Sequence, residues 1–172
     1  MQDSQNERWY NKFVGYIHRL KNAEYKSPFY EFRRGVRGEP GVRHGVIRIL
    51  SKIGVEATPS ILEQGQIIAK IVCETEHNKN IPLGRMLKRM LGDDSARLDT
   101  LVALRLEAAG MQLVRLGHRA RGAGRKFNHF DLAEKVALWN RQHPETGIFY
   151  ARERLCEEFY RKLPVKKVVV NG

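Results

Sequence analysis

The sequence predicts an all-α protein of about eight helices in two small helical bundles. Apolar residues recur every three or four positions along nearly the whole chain, which is the period of one face of an α-helix. The two-residue alternation typical of strands is absent from the 172 residues outside the segment 165–170. Prolines and glycines fall between the periodic segments, where they favour helix starts and stops. These three observations give the fold class.

An apolar face and a proline signal indicate the first two helices. The first helix carries one apolar face, formed by Trp9, Phe13, Tyr16 and Leu20. Ser27 and Pro28 then have the order of an N-cap and a first helical residue. They open a short helix that we expect Gly35 and Gly38 to interrupt, because glycine weakens a helix interior.

Two more helices follow a loop expected around residues 39–41. The third is predicted from Val46, Ile47, Leu50 and Ile53. Thr58 and Pro59 repeat the combination of cap and proline. The fourth helix then carries Ile61, Leu62, Ile68, Ile71 and Val72.

The second half begins with an amphipathic helix that Pro82 starts. Its apolar side carries Leu83, Met86, Leu87, Met90 and Leu91. Its other side carries Arg85, Lys88 and Arg89. We expect residues 93–95, Asp-Asp-Ser, to cap the next helix, since their side-chain oxygens accept from free backbone N–H groups. That helix is predicted to carry Leu98, Leu101, Val102 and Ala109 and to end at Gly110.

Beyond Gly110 the chain is predicted to display its charges on one side of a helix. Leu113, Leu116 and Ala120 share one face. Arg115 and Arg119 share the opposite face. A glycine-rich loop at 121–125 leads to a helix with Leu132, Val136 and Trp139. Pro144 precedes a last helix with Leu155, Cys156, Phe159 and Leu163, and residues 165–170 are expected to be a strand or a tail.

The expected division into bundles lies near residues 77–81, giving an N-terminal bundle at 1–79 and a C-terminal bundle at 80–172. The first range holds 13 basic and 9 acidic residues, and the second holds 18 and 10. The C-terminal bundle is therefore the more basic one.

The charge pattern indicates a polyanionic partner. The chain has 31 Lys and Arg against 19 Asp and Glu, a net charge of +12, and an isoelectric point near 10.0. Residues 113–126 contain no acid, and their cations are Arg115, Arg119, Arg121, Arg125 and Lys126. Such a field attracts phosphate backbones. Charge alone leaves two other interpretations open, an anionic membrane surface and a solvated basic face.

The N-terminal residues and the cysteines suggest a cytoplasmic protein. The first seven residues lack the plan of a signal peptide, and no apolar run reaches the roughly 18 residues of a membrane span. Cys73 and Cys156 have no nearby partner cysteine and apolar neighbours, which is typical of buried free thiols in a reducing compartment.

No motif predicts catalysis, a metal or a cofactor. The six histidines show no metal-binding spacing, so each is expected to be a surface or packing residue. Asp93 and Asp94 have the chemistry to hold a divalent ion, but adjacent acids before a helix favour a cap. The chain also lacks a phosphate-binding P-loop. We therefore expect a protein that is not an enzyme.

Four segments occur in the order known from one family. They are Phe32-Arg33-Arg34-Gly35; residues 82–87; the helix pair at 97–116; and residues 130–139 followed by 152–160. Across residues 9–163 the chain resembles the CasB family, the small subunit of the type I-E CRISPR surveillance complex Cascade. It departs from the family at residues 129–131, His-Phe-Asp, where an Asp-Trp pair is common.

The resemblance implies a helical two-bundle protein without catalytic activity, present as two copies per complex. It would stabilise guide RNA and target DNA, hold the displaced non-target strand, and contact other Cascade subunits, including the repeated backbone subunit and the large subunit. Guide pairing would supply sequence specificity, so phosphate contacts that ignore the bases suffice.

The candidate nucleic-acid-binding residues come from two sources. Arg33 and Arg34 match the paired arginines of the family, and Arg85 and Arg115 come next. Charge geometry alone adds Lys88, Arg89, Arg119, Arg121, Arg125 and Lys126.

Each of these arginines could instead have a structural role. Arg33 and Arg34 could pair with Glu31 or Glu39, and Arg85 could contact a helix C-terminus. Arg105, on the apolar side of its helix, and Arg152 are interpreted as structural.

Three other functions remain open at this stage. The main alternative is an adaptor whose basic face docks on an acidic protein without touching nucleic acid. A peripheral membrane protein is less favoured, because the helix at 82–91 lacks Trp and Phe anchors. An undetected nuclease is the least favoured.

Overall fold

The all-α prediction is confirmed. The computed structural model describes residues 8–38 and 41–161, which form nine helices and two short strands. The helices are α1 Trp9–Asn22, α2 Ser27–Arg37, α3 Gly41–Lys52, α4 Pro59–Val72, α5 Leu83–Leu91, α6 Ser95–Ala103, α7 Leu106–Gly122, α8 His129–Ala137 and α9 Tyr150–Tyr160. The strands are β1 Glu76–His77 and β2 Lys126–Phe127.

Two of the predicted helix caps form as expected. The Thr58 hydroxyl accepts a hydrogen bond from the Ile61 N–H at 3.3 Å, with Pro59 as the first residue of α4. The Asp94 carboxylate accepts one from the Arg97 N–H at 3.3 Å at the start of α6. At α2 the prediction is wrong by one residue, because Ser27 is already helical and its hydroxyl donates to Glu31 at 3.5 Å.

Two glycines predicted to interrupt or end helices lie inside them. Gly35 continues α2, which ends at Arg37, and Gly110 lies within α7. Packing explains Gly110, because a Cβ there would lie 2.8 Å from Cγ1 of Ile67 on α4. The chain instead breaks between α6 and α7, where Leu104 and Arg105 are extended. Arg105 is thus exposed and not on an apolar face, which corrects that assignment.

One hydrophobic core runs through both halves of the chain. It contains Phe13, Ile68, Leu87, Phe127 and Trp139, each fully buried. Helix α1 packs on α8, and α4 packs on both α7 and α8. The core therefore crosses the predicted boundary at 79/80, and the division into two bundles stays a prediction.

The strands β1 and β2 also join the two halves. They pair in parallel, with Glu76 opposite Lys126 and His77 opposite Phe127. The Asn78 N–H extends the pairing by donating to the Phe127 carbonyl at 2.9 Å. The predicted strand or tail at 165–170, and Leu163, which was expected on the last helix, lie outside the described residues.

A buried ion network fixes the start of α5. The Lys135 side chain is 2% exposed and binds both Asp131 and, at 2.9 Å, Glu158. Asp131 also accepts a hydrogen bond from the Leu83 N–H at 2.7 Å, and Glu158 accepts one from the Gly84 N–H at 3.1 Å. The two carboxylates satisfy free N–H groups of α5 and complement its positive end. The network therefore ties α5 to α8 and α9.

Arg152 is structural, as predicted. The residue is 9% exposed and donates to the Trp139 carbonyl at 3.0 Å and the Val102 carbonyl at 3.1 Å. Its guanidinium lies 3.8 Å from the centre of the Phe149 ring. Burial lowers its pKa. The arginine thus closes the loop between α8 and α9.

Both cysteines are free thiols, as the sequence predicts. Cys73 is buried, and burial raises its pKa to about 12. Cys156 is half-buried, and burial raises its pKa as well. Neither thiol is therefore activated as a nucleophile.

Lys135→Met should lower the free energy of unfolding by about 3 kcal/mol, because the buried carboxylate of Asp131 loses its cation and that of Glu158 keeps only Arg154, at 3.5 Å. Urea unfolding followed by circular dichroism measures the change. Lys12→Met on the exposed side of α1 is the matched control and should change stability little. A loss below about 1 kcal/mol for Lys135→Met would mean that the network does not stabilise the fold.

Candidate nucleic-acid interface

Helix α7 displays two candidate arginines on its outer face. Leu113 and Ala120 are buried against the core, whereas Arg115 and Arg119 are exposed. The two arginines are four residues apart and therefore follow each other by one helical turn, about 6 Å along the axis. Neither has an ion-pair partner within residues 8–38 and 41–161. The predicted display of charge on this helix is confirmed.

A groove of about 370 Å³ runs beside these two side chains, and we call it the arginine groove. Its lining is Leu91, Arg97, Thr100, Gln112, Arg115, Leu116 and Arg119. Arg97 binds the carboxylate of Asp94 at 3.1 Å. Arg115 and Arg119 therefore supply the uncompensated charge of this groove.

Three other arginines converge on one buried carboxylate, forming what we call the Glu74 cluster. Arg33 donates two hydrogen bonds to Glu74, at 3.0 and 2.9 Å, and Arg37 donates two at 2.8 and 3.0 Å. Arg121 donates a further bond to the same carboxylate. Residues 33 and 37 share one face of α2, and Arg121 comes from the last turn of α7.

The Glu74 cluster carries a net positive charge. Burial alone raises the pKa of Glu74, but the hydrogen bonds from Arg33 and Arg37 outweigh it and lower the pKa to about 2. One carboxylate faces three guanidinium groups, so an excess of two positive charges remains. The side chains of Arg37 and Arg121 are about half exposed, at 55% and 52%. The cluster therefore still presents N–H donors to an anion.

The Glu74 cluster and the arginine groove lie on one continuous surface. A groove of about 500 Å³ contains Arg37, Glu74 and Arg121, and shares Lys70, Val114 and His118 with a second groove of about 580 Å³ between α4 and α7. That α4–α7 groove shares Arg115 with the arginine groove. The three grooves together are lined by seven basic side chains, Arg37, Arg43, Lys70, Arg97, Arg115, Arg119 and Arg121, and by three glutamates.

Two of these glutamates disfavour phosphate in the α4–α7 groove. Glu63 and Glu107 both line the α4–α7 groove. Burial raises the pKa of Glu63, and the charge of Glu107 raises it further. The basic path therefore passes through His118, which is common to two grooves and lies between Arg115 and Arg121 on α7.

Two of the three candidates on α5 have contacts of their own. Arg85 donates to the Arg161 carbonyl at 2.6 Å, just beyond α9, which is the competing contact with a helix C-terminus. Lys88 binds Asp93 at 2.6 Å and lies 5.0 Å from the centre of the Phe159 ring. Arg89 is exposed, without an ion pair in the part of the chain that the structure describes. These residues line none of the three grooves above.

The remaining candidates are all exposed. Arg34 follows Arg33 on α2 but takes no part in the Glu74 cluster. Arg125 lies in the glycine-rich turn after α7, and Lys126 stands opposite Glu76 in the strand pair. Glu31 or Glu39 was the expected ion-pair partner of Arg33. Arg33 binds Glu74 instead, and Glu39 lies outside the described residues.

Sequence reasoning missed half of the Glu74 cluster. Arg37 could have been found, because it lies four residues after Arg33 and the same helix face carries both. Glu74 gave no such signal, since it follows α4 and lies 41 positions from Arg33. The sequence also gave no signal for three further cations that face α7 from three different helices, Arg43, Lys70 and Arg97.

The membrane interpretation of α5 loses its basis. Leu83, Met86 and Leu87 are buried in the core, so the apolar side of this helix is not available to a lipid surface. No helix in the described ranges is long and apolar enough to cross a bilayer.

Comparisons with known proteins give no relative for this chain. No family model, no curated protein and no solved structure matches it.

Glu74→Gln should destabilise the protein most near neutral pH. The folded pKa of about 2 lies below the unfolded value of 4.5, so the stabilising contribution is complete above pH 4.5 and is lost as the pH falls towards 2. Urea unfolding of both proteins from pH 2 to pH 7 measures the difference, and other acid-sensitive groups cancel in it. A difference independent of pH would show that the charge of Glu74 does not stabilise the fold.

Proposed function

We propose that this protein is a non-catalytic small subunit of a CRISPR RNA-guided DNA surveillance complex. It binds the phosphate backbone of nucleic acid without sequence specificity. The observation that carries the proposal is the pair of exposed arginines on α7, Arg115 and Arg119, beside a groove without a compensating acid. The resemblance of four segments to the CasB family supplies the biological context.

The chemistry of arginine suits this role. A planar guanidinium binds two phosphate oxygens at once, and it stays charged at all physiological pH values. Contacts to phosphates fix position and orientation but carry no sequence information. In a guided complex the RNA reads the target by base pairing, so the small subunit needs only such contacts.

The proposed partners follow from the same context. They are guide RNA, target DNA and the displaced non-target strand, together with the repeated backbone subunit and the large subunit. Two copies per complex and a cytoplasmic location belong to this proposal. The basic surface, from Arg119 through Arg115 and His118 to the Glu74 cluster, has the continuity that a backbone path requires.

A second candidate function is favoured by one apolar feature of the same face. The α4–α7 groove contains Leu62, Ile67 and Val114, and Met111 beside them is 63% exposed. An apolar surface flanked by charge fits a protein partner. The protein would then act as an adaptor that docks on an acidic subunit without touching nucleic acid.

The purified protein should leave labelled DNA and RNA intact in the presence of Mg²⁺, Mn²⁺ or ATP. Asp93 and Asp94, the acids nearest to a divalent-ion motif, are occupied by Lys88 and by the α6 cap. Gel analysis of the products over several hours measures cleavage. Cleavage that disappears in an Asp93→Asn and Asp94→Asn double variant would contradict both the function and the cap assignment.

Replacing Arg115 and Arg119 by Ala should weaken binding to single-stranded DNA and flatten its salt dependence. Removing one phosphate interaction reduces the slope of log K against log salt by about 0.7 on single strands. Fluorescence anisotropy with two unrelated labelled sequences, at several salt concentrations, measures both quantities. Both sequences should bind alike.

The matched control is Lys12→Ala with Lys26→Ala, which removes two exposed charges from α1 and the start of α2. Circular dichroism tests the fold of every variant. An equal loss of affinity in control and test variants would mean that net charge, and not the position of Arg115 and Arg119, determines DNA binding. Unchanged DNA binding by the Arg115 and Arg119 variant, together with loss of assembly, would favour the adaptor.

A further inference from the structure

Three histidines that lie far apart in sequence meet at the junction of the two halves. His18 comes from α1, His77 from β1 and His129 from the first turn of α8. One ring nitrogen from each lies within 4.8 Å of the other two, and we call this group the histidine cluster. His18 and His129 are 111 positions apart, and no spacing in the sequence indicates their contact.

The hydrogen bonds of His129 orient one nitrogen towards the other histidines. The Thr75 hydroxyl donates its single proton to the Ile71 carbonyl at 2.7 Å, so it must accept from His129 Nε2 at 2.9 Å. Nε2 therefore carries the ring proton, and the lone pair of Nδ1 faces His18 Nε2 at 2.9 Å. An outer hydrogen bond that fixes the tautomer in this way is typical of histidines that bind metals.

The surroundings also hold the rings in place. The ring of Phe130 packs edge-on against His18 and His77, with centres 5.4 and 5.5 Å apart. Burial lowers the pKa of His129 to about 2 and that of His18 to about 4, and it lowers the pKa of His77 as well. The cluster therefore lies in a partly apolar shell.

We propose that the histidine cluster binds one Zn²⁺ ion through three imidazole nitrogens, with a water molecule as fourth ligand. Zinc prefers tetrahedral sites of this kind, with Zn–N distances of about 2.0–2.1 Å and ligand nitrogens about 3.3 Å apart. His18 Nε2 donates its proton to His129 Nδ1 in the free protein, so it would bind zinc in the other tautomer, with the ring proton on His18 Nδ1. The two ligand nitrogens would then separate from 2.9 Å to this value. The third nitrogen, within 4.8 Å, would approach by small side-chain rotations.

Two features oppose binding and set its strength. The His77 Nδ1 accepts a hydrogen bond from the His129 backbone N–H at 3.2 Å, and that bond would be replaced or weakened when His77 coordinates zinc. Lys21 adds a positive charge nearby, donating to the Thr75 carbonyl at 2.8 Å, but Glu76 binds it at 3.3 Å. The ion pair with Glu76 offsets only part of the charge of Lys21, and the remainder weakens the binding of a divalent ion.

The bound ion would fasten α1, β1 and α8 together. Since these elements belong to different halves, zinc binding should raise the thermal stability of the whole protein. The site needs no nucleic acid and stands independently of the proposed function.

The test uses the full chain after chelator treatment and desalting. Titration with ZnCl₂ should load one ion per chain, measured by elemental analysis after desalting, and should raise the unfolding temperature. Co²⁺ in place of Zn²⁺ should give the intense visible absorption of a tetrahedral nitrogen site. Failure of the native protein to retain zinc, or the absence of that Co²⁺ spectrum, would overturn the proposal without any variant.

Variants then assign the ligands. His18→Gln and His77→Gln should each weaken zinc affinity at least tenfold and remove the Co²⁺ absorption, whereas both are only half-buried and should fold. His44→Gln, on the exposed side of α3, is the matched control and should bind as the native protein does. Retention of native zinc affinity by the His18 and His77 variants would place the metal elsewhere and overturn the assignment.

Discussion

The buried carboxylate of Glu74 is the contact on which the basic surface depends. It follows α4 directly and binds arginines from α2 and from the end of α7, so it connects both halves through a single group. A carboxylate with a side chain only 5% exposed is unfavourable unless it is paired, and a lone buried guanidinium would be no better. The Glu74 carboxylate therefore places three arginines side by side and also ties α2 to the end of α7.

The arginines of the Glu74 cluster keep N–H groups that do not bind Glu74. The same side chains can therefore have a structural role and a binding role. A guanidinium group carries five N–H bonds, and Arg33 and Arg37 each use two of them on Glu74. In the proposed function a phosphate oxygen would meet a preorganised guanidinium, and little side-chain entropy would be lost on binding. Arg115 and Arg119 differ in this respect, because no carboxylate in the described part of the chain pairs with them. The surface thus combines a fixed end and an adaptable end.

Local signals in the sequence were sufficient for most of the fold and for part of the candidate site. The helical period, the Thr58 and Asp94 caps and the exposed face of α7 each depend on residues within one or two turns of one another. Contacts between elements left no such signal. Gly110 was misinterpreted because its role is to admit a side chain from α4, and the partners of Arg33 and His129 lie 41 and 111 positions away. The exposed arginines of α7 could therefore be predicted from the sequence, whereas Glu74 and the contacts between elements could not.

The parallel pairing of β1 with β2 imposes an order on biosynthesis. Residues 76 and 126 are neighbours in the sheet, and α8, which covers α1 and α4, begins only at His129. A ribosome adding about 5–20 residues per second needs roughly 3–10 s to make the intervening fifty residues. Throughout that interval the apolar side chains of α1 and α4 that face α8 have no partner helix. During these seconds a chaperone would bind the uncovered apolar surface, and two unfinished chains would associate through it.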